Sequence, residues 1–113
     1  MIKKEFPVRF RPEVCGGVST TVMKDLATSE ELYHHGRLFA HALLMPGCSI
    51  GWHVHEHETE FYYILRGTPS VSDNGVLGEM HPGEVMVTGG GAGHSIANNS
   101  ADTVEFLALI LQE

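Results

Sequence analysis

The chain has 113 residues, enough for one domain around a single hydrophobic core. Apolar residues make up 42% of the sequence and charged residues 19%, which is typical of a folded protein rather than a disordered one. Seven Lys and Arg residues stand against 14 Asp and Glu, and the formal charge of −7 disfavours nucleic acid and anionic membranes as partners.

Residues 1–36 are predicted to form an N-terminal arm with an edge strand and a short helix or turn. Apolar residues alternate with polar ones at Phe6, Val8 and Phe10, as in a half-exposed strand that could lie on a partner subunit. The first eleven residues carry four of the seven cations, whereas the rest of the chain is strongly acidic.

A local signal for a helical turn follows this strand. Thr28 and Glu31 have the spacing of a capping box, and Gly36 suits the residue after a helix end. Together they predict a short helix or turn at about 29–35.

The remainder, residues 37–113, is predicted to be short strands separated by Gly, Pro and Asn turns. Asn74-Gly75 is the strongest hairpin signal among them. The predicted bounds are 37–45, 49–55, 60–66, 70–73, 76–80, 84–88, 94–98 and 104–111. Eight or nine short strands with frequent turns predict an all-β sandwich or barrel.

The sequence contains no pattern for export or membrane insertion. Pro7 and the arginines around it interrupt the apolar stretch that a signal peptide would need after Lys3 and Lys4. The longest apolar run, 106–111, is far shorter than the ~20 residues of a membrane helix. We therefore expect a cytoplasmic protein in which both cysteines are reduced thiols.

The densest group of possible metal ligands lies in the middle of the chain. His53 and His55 are two residues apart on a predicted strand and therefore project from the same face. Glu60 begins the next strand, and His94 begins a later one directly after a glycine-rich loop. Three imidazoles and one carboxylate suit Mn, Fe, Co, Ni or Zn rather than a closed structural zinc site.

These residues also carry a family resemblance. Residues 47–67 match the first cupin motif, G(X)5HXH(X)4E(X)6G, at every fixed position. The second motif, G(X)5PXG(X)2H(X)3N, is matched by Gly83, Gly91, His94 and Asn98. Its proline is replaced by Gly89. The chain thus resembles small single-domain cupins, which implies a double-stranded β-helix, or jelly roll, with one domain over 1–113 and a barrel over 37–113.

The resemblance implies that His53, His55, Glu60 and His94 hold one divalent transition metal ion, either Mn, Fe, Ni, Co or Zn. It further implies a metal-dependent enzyme acting on a small oxygenated molecule, such as a dioxygenase, isomerase or decarboxylase. The alternatives are a non-catalytic module that binds or senses a small molecule, and a scaffold whose metal is vestigial. A sensor usually carries an output domain, and 113 residues leave no room for one.

Two residues near the cluster are candidates for catalysis. Tyr62 shares the face of Glu60 if the strand is regular. His57 continues the alternation of histidines and could act in catalysis or replace Glu60 as a ligand. The interpretation we prefer for His57 is a turn in which it forms solvated polar surface together with Glu56 and Glu58.

The charge and the apolar surface of the chain predict the kind of substrate it binds and its oligomeric state. The acidic composition argues against a highly anionic substrate unless Arg37 or Arg66 reaches the cavity. We also expect a homodimer, because one small barrel cannot bury all of its apolar sheet surface. That surplus surface comprises Trp52, Phe61, Tyr63, Leu65 and residues 106–111.

Overall fold

The computed structural model describes residues 1–113, which form ten antiparallel strands in two sheets. The strands are β1 (Val8–Pro12), β2 (Thr20–Asp25), β3 (Gly36–Leu44), β4 (Ser49–Val54), β5 (Glu58–Arg66), β6 (Ser70–Asp73), β7 (Val76–Glu79), β8 (Val85–Gly89), β9 (Gly93–Ala97) and β10 (Val104–Gln112). Their bounds agree with the predicted strands within two residues, and β2 is an additional strand that the sequence analysis did not identify.

The two sheets pack face to face as a double-stranded β-helix, which confirms the predicted all-β fold. One sheet has the order β1-β2-β3-β10-β5-β8 and the other the order β4-β9-β6-β7. The chain passes from one sheet to the other between β3 and β4 and returns between β4 and β5. The N-terminal strand β1 lies at the edge, as expected, but it pairs with β2 of its own chain.

The core lies between the sheets and is built by strict alternation along the strands. In β10, Val104, Phe106, Ala108 and Ile110 are buried, while the residues between them are partly exposed. Only one face of β10 enters the core, and the other leaves apolar side chains on the outside of the sheet.

Residues 29–35 form a hydrogen-bonded turn rather than a helix. The capping box is present, since the Glu31 amide donates to Thr28 Oγ1 at 3.1 Å and the Thr28 amide donates to Glu31 Oε1 at 2.9 Å. Tyr33 and His34 then adopt left-handed backbone conformations, with φ of 54° and 58°, which ends the helical geometry after one turn.

A 3-10 turn at Val14–Gly16 is the remaining helical element. The structure contains no helix with the length and apolar character needed to cross a membrane.

Asn98 fastens the end of β9 to its neighbours through a buried hydrogen-bond network. Its side chain is fully buried and donates to the carbonyls of Leu44 and Asp102 at 2.8 and 2.7 Å. Its Oδ1 accepts from the amide and hydroxyl of Ser100 at 3.0 and 2.7 Å. The asparagine of the second motif therefore stabilises the fold.

We expect Asn98→Ala to lower the free energy of unfolding by about 2–4 kcal/mol, because it removes the buried amide that donates to the Leu44 and Asp102 carbonyls and accepts from Ser100. Urea denaturation followed by circular dichroism measures this loss. Asn99→Ala is the matched control, since Asn99 makes a single exposed hydrogen bond to Ser70. Equal stability of the two variants would contradict the structural role given to Asn98.

Candidate metal centre

Four side chains from both sheets meet between the sheets at one end of the fold. His53 on β4 and His94 on β9 are direct partners in the strand register, so their rings lie side by side. Glu60 projects from β5 in the opposite sheet, and His55 lies on the segment that crosses between the sheets. One donor atom from each residue lies within 4.8 Å of the other three.

The donor atoms are spaced as the ligands of one ion are. His94 Nε2 lies 3.0 Å from His53 Nε2, 3.1 Å from His55 Nε2 and 2.9 Å from Glu60 Oε1. An imidazole nitrogen carries at most one proton, so hydrogen bonds cannot satisfy all three contacts. Metal bonds of about 2.1 Å at right angles place neighbouring ligand atoms about 3.0 Å apart. The donor set therefore fits a transition metal ion.

The protonation states of Glu60 and His94 suit metal binding. Burial alone would raise the pKa of Glu60, but the nearby imidazoles of His53, His94 and His55 outweigh it and lower the pKa to about 2. Glu60 is therefore a carboxylate. Burial lowers the pKa of His94 below its ordinary value, which favours the neutral imidazole that a metal requires.

Hydrogen bonds orient two of the three imidazoles with Nε2 toward the centre. His53 Nδ1 donates to the Gly51 carbonyl at 2.8 Å, and His55 Nδ1 donates to Glu58 Oε2 at 2.5 Å. His94 Nδ1 is buried without a partner, and its ring is held by stacking on Tyr62 at a centroid distance of 4.6 Å. The Nε2 lone pairs of His53 and His55 are thus free to bind an ion.

Glu58 supports the cluster through His55. Its carboxylate accepts two hydrogen bonds from the Arg37 guanidinium, at 2.8 and 2.6 Å, in addition to the one from His55. The Arg37 contact holds the pKa of Glu58 down at about 2, with His55 contributing in the same direction. The interpretation of Glu58 as solvated surface is therefore wrong. Its position two residues before Glu60 on β5 was the available signal, because it places both on one face.

Removal of the Glu58 carboxylate should weaken metal binding without removing a ligand. We expect Glu58→Ala to lower the affinity for Mn²⁺ by about 10–100-fold, because His55 loses the acceptor that fixes its orientation. Calorimetric titration with Mn²⁺ measures this, and Glu56→Ala on the exposed neighbour serves as the control. An affinity equal to that of the wild type would show that Glu58 does not orient His55.

The two catalytic candidates lie in different places. Tyr62 is buried with its ring between His94 and Phe106, and it lines the cavity beside the cluster. Burial and the charge of Glu60 raise the pKa of Tyr62 well above its ordinary value, against the opposing charge of Arg11. Tyr62 therefore keeps its proton at neutral pH.

His57 lies outside the cavity on the exposed turn before β5. Its Nδ1 is 2.8 Å from a carboxylate oxygen of Glu113, and its side chain is 84% exposed. It lines a separate, wider surface groove of about 750 Å³ that includes none of the four clustered residues. His57 therefore neither replaces Glu60 in the cluster nor faces the space in front of it.

The cavity in front of the cluster has a volume of about 180 Å³ and a mixed lining. Its apolar walls include Val14, Leu38, Ile50 and Phe106. Three arginines also reach it, namely Arg9, Arg11 and Arg37. Arg66 does not, since it is largely exposed and lies 3.6 Å from Glu105. Arg37 was a cavity candidate from the sequence, whereas Arg9 and Arg11 were not, because their direction depends on the pairing of β1 with β2.

The departure from the second motif has a steric explanation. A Cβ atom at Gly89 would lie 2.3 Å from Thr59 Oγ1 and 2.8 Å from the Glu58 carbonyl oxygen. β8 therefore approaches β5 too closely for any side chain at this position. Glycine is needed here to keep the strand that carries Glu58 and Glu60 in place.

Comparison with known proteins identifies the family. The cupin domain family model matches residues 40–110. The chain belongs to the cupin family, as the two motifs had indicated.

Sequence and structure comparisons both show high similarity to protein from Thermotoga maritima. An oxalate-binding protein is 42% identical over 96 residues, which cover 85% of this chain and 79% of that protein. The crystal structure of a predicted oxalate decarboxylase has a TM-score of 0.95 and 36% identity, with both chains covered completely. A polyketide cyclase from Streptomyces resistomycificus has a TM-score of 0.77 at 21% identity, covering 100% of this chain and 81% of that one, and it shares the fold.

Proposed function

We propose that this cupin binds one divalent transition metal ion and uses it to bind oxalate or a dicarboxylate of similar size. His53, His55, Glu60 and His94 are the proposed ligands. The observation that carries the proposal is the convergence of four donor atoms at the end of a small cavity that arginines also line. The nitrogen and oxygen donors suit Mn, Fe, Co, Ni or Zn.

The charge of the site supports an anionic ligand. Glu60 contributes one negative charge at the cluster, so a bound divalent ion leaves a net positive centre. Four protein ligands leave positions free on a six-coordinate ion for oxygen atoms of a small molecule. The cavity of about 180 Å³ restricts the ligand to a few heavy atoms. The relative named as an oxalate-binding protein supports the choice of oxalate within this class.

Titration of oxalate into the protein with and without metal tests the proposal. We expect the Mn²⁺-loaded protein to bind oxalate and the chelator-treated protein to bind none. Glu60→Gln serves as a ligand-deficient control, and it should lose both the metal and oxalate. Metal-loaded protein that does not bind oxalate, or stripped protein that binds it equally well, would overturn the proposed function.

Turnover of the bound molecule is a second candidate function, and Tyr62 is the observation that favours it. Its protonated hydroxyl lies in the cavity beside Glu60 and can donate a proton to a reacting carbon. Loss of CO2 from oxalate breaks the carbon–carbon bond, and one proton added to the remaining carbon gives formate. A bound metal would supply Lewis-acid stabilisation of the carboxylate oxygens.

Formate production from oxalate, followed by proton NMR, separates binding from turnover. Turnover through Tyr62 predicts formate with the wild type and a strong reduction with Tyr62→Phe. Oxalate binding without formate would restrict the function to binding.

We also propose a homodimer that covers the outer face of the six-stranded sheet. In the register, Leu107 lies opposite Tyr63, and Tyr63 lies opposite Val85, so these apolar side chains form one row across the face. Val85 and Val87 are 53% and 56% exposed in the single chain. A stable dimer needs about 1,200 Å² of total buried surface, which an apolar sheet face of this kind can supply.

Light scattering at micromolar concentration should give twice the mass of one chain. We expect Val87→Lys on the outer face to dissociate the dimer, because it places a charge in the apolar interface. Leu77→Lys is the control, since Leu77 is more exposed but lies on the other sheet. A monomeric wild type would refute the dimer. Dissociation by Leu77→Lys alone would place the dimer interface on the four-stranded sheet instead.

A further inference from the structure

We infer that Arg11 selects for a dicarboxylate by binding the carboxylate group that the metal does not hold. This inference rests on the proposed function, because it assigns the second half of the ligand in the same cavity. It makes Arg11 a specificity-determining residue, separate from the four proposed metal ligands.

The three cavity arginines differ in their hydrogen-bond partners. Arg9 donates to both oxygens of Asp25, at 2.6 and 2.7 Å. Arg37 likewise donates one hydrogen bond to each carboxylate oxygen of Glu58. Arg11 has neither a hydrogen bond nor a salt bridge to any carboxylate, although acidic residues outnumber basic ones two to one in this chain. Its guanidinium is the unpaired cation of the cavity.

The strand register places Arg11 on the side of the sheet that faces the cluster. Arg11 is paired with Thr21 of β2, and directly opposed residues on antiparallel strands point to the same face. Thr21 is 1% exposed and therefore points inward. Arg11 accordingly lines the cavity with His53, His55 and Glu60 and is exposed to solvent at its edge, while the neighbouring Phe10 points to the opposite face of the sheet.

A guanidinium in this position recognises one particular ligand chemistry. Its planar group of N–H donors matches the two oxygens of a carboxylate and forms charge-assisted hydrogen bonds with them. A ligand with two carboxylates can bind the metal with one end and Arg11 with the other. A monocarboxylate of similar size, such as acetate, can use only the metal. Arg11 therefore contributes to the affinity for oxalate and not to that for acetate.

Calorimetric titration of Mn²⁺-loaded protein with oxalate and with acetate tests this assignment. We expect Arg11→Met to lower the oxalate affinity by about tenfold or more and to leave acetate affinity within about twofold. Arg11→Lys should be intermediate, because it keeps the charge and loses the planar pair of donors. Arg66→Met is the control for the loss of one positive charge outside the cavity. Mn²⁺ affinity should be the same in all four proteins.

The outcomes separate this inference from the function on which it rests. If the wild type binds Mn²⁺ but not oxalate, the proposed function fails, and Arg11 loses its assigned role with it. If the wild type binds oxalate and Arg11→Met binds it equally well, the proposed function stands and the role of Arg11 is refuted. Equal losses for Arg11→Met and Arg66→Met would likewise refute it, because they would reflect net charge alone.

Discussion

Replacement of His53 by alanine is expected to lower the affinity for Mn²⁺ by more than about 100-fold while the protein remains folded. His53 supplies one of four donor atoms, and its loss leaves two histidines and one carboxylate. Its side chain is 20% exposed at the cavity, so its removal leaves little buried empty space. The other two clustered histidines are almost fully buried, which makes His53 the cleanest position for this test.

His57→Ala is the matched control, because His57 is the third histidine of the same alternating run and lies outside the cluster. Mn²⁺ affinity by calorimetry and thermal unfolding of the metal-free protein should both be measured for the two variants. We expect His57→Ala to bind Mn²⁺ like the wild type. Full metal affinity in His53→Ala, or an equal loss in both variants, would remove His53 from the proposed ligand set.

Metal affinity is expected to fall steeply as the pH is lowered through the range of histidine protonation. A proton and a metal ion compete for each Nε2, so a single protonated histidine costs about tenfold in affinity per pH unit. Burial acts to lower the pKa of His53, but the Glu60 carboxylate 3.6 Å from its Nε2 and the hydrogen bond to the Gly51 carbonyl raise it above its ordinary 6.5. The affinity for Mn²⁺ therefore begins to fall above pH 6.5 and falls further at lower pH.

Glu60 does not contribute to this loss in the same range. Its pKa of about 2 keeps it ionised throughout histidine protonation. Titrations with Mn²⁺ at about pH 7.5, 6.5 and 5.5 should thus show a decrease that depends on histidine alone. A constant affinity across these values would indicate that Mn²⁺ binds to carboxylates elsewhere on the acidic surface.

Most of the cluster could be predicted because its residues are close together in the sequence. His53 and His55 are two residues apart, and Glu60 begins the next strand, so their faces follow from alternation. His94 required the second motif, because no local pattern connects β9 to β4. The structure brings these four residues together, as the spacing had suggested, because the two histidine-bearing strands are direct neighbours.

The supporting residues could not be predicted because their contacts are made across long sequence separations. Glu58 looked like part of a polar turn until its pairing with Arg37, 21 residues earlier, was visible. Arg11 had no defined direction until its strand was paired with β2, which the sequence analysis had not identified. The sequence left both a short helix and a turn open at 29–35, and the structure forms the turn. Its capping signal was correct, but the backbone turns left-handed at Tyr33 and His34 to enter β3.

The most direct test of the central claim is anomalous X-ray scattering from crystals grown with Mn²⁺ and oxalate. The proposed function predicts one strong manganese peak bonded to the side chains of His53, His55, Glu60 and His94, with oxalate completing its coordination inside the cavity. Manganese at another position, or an ion at this cluster with oxalate bound elsewhere, would contradict it.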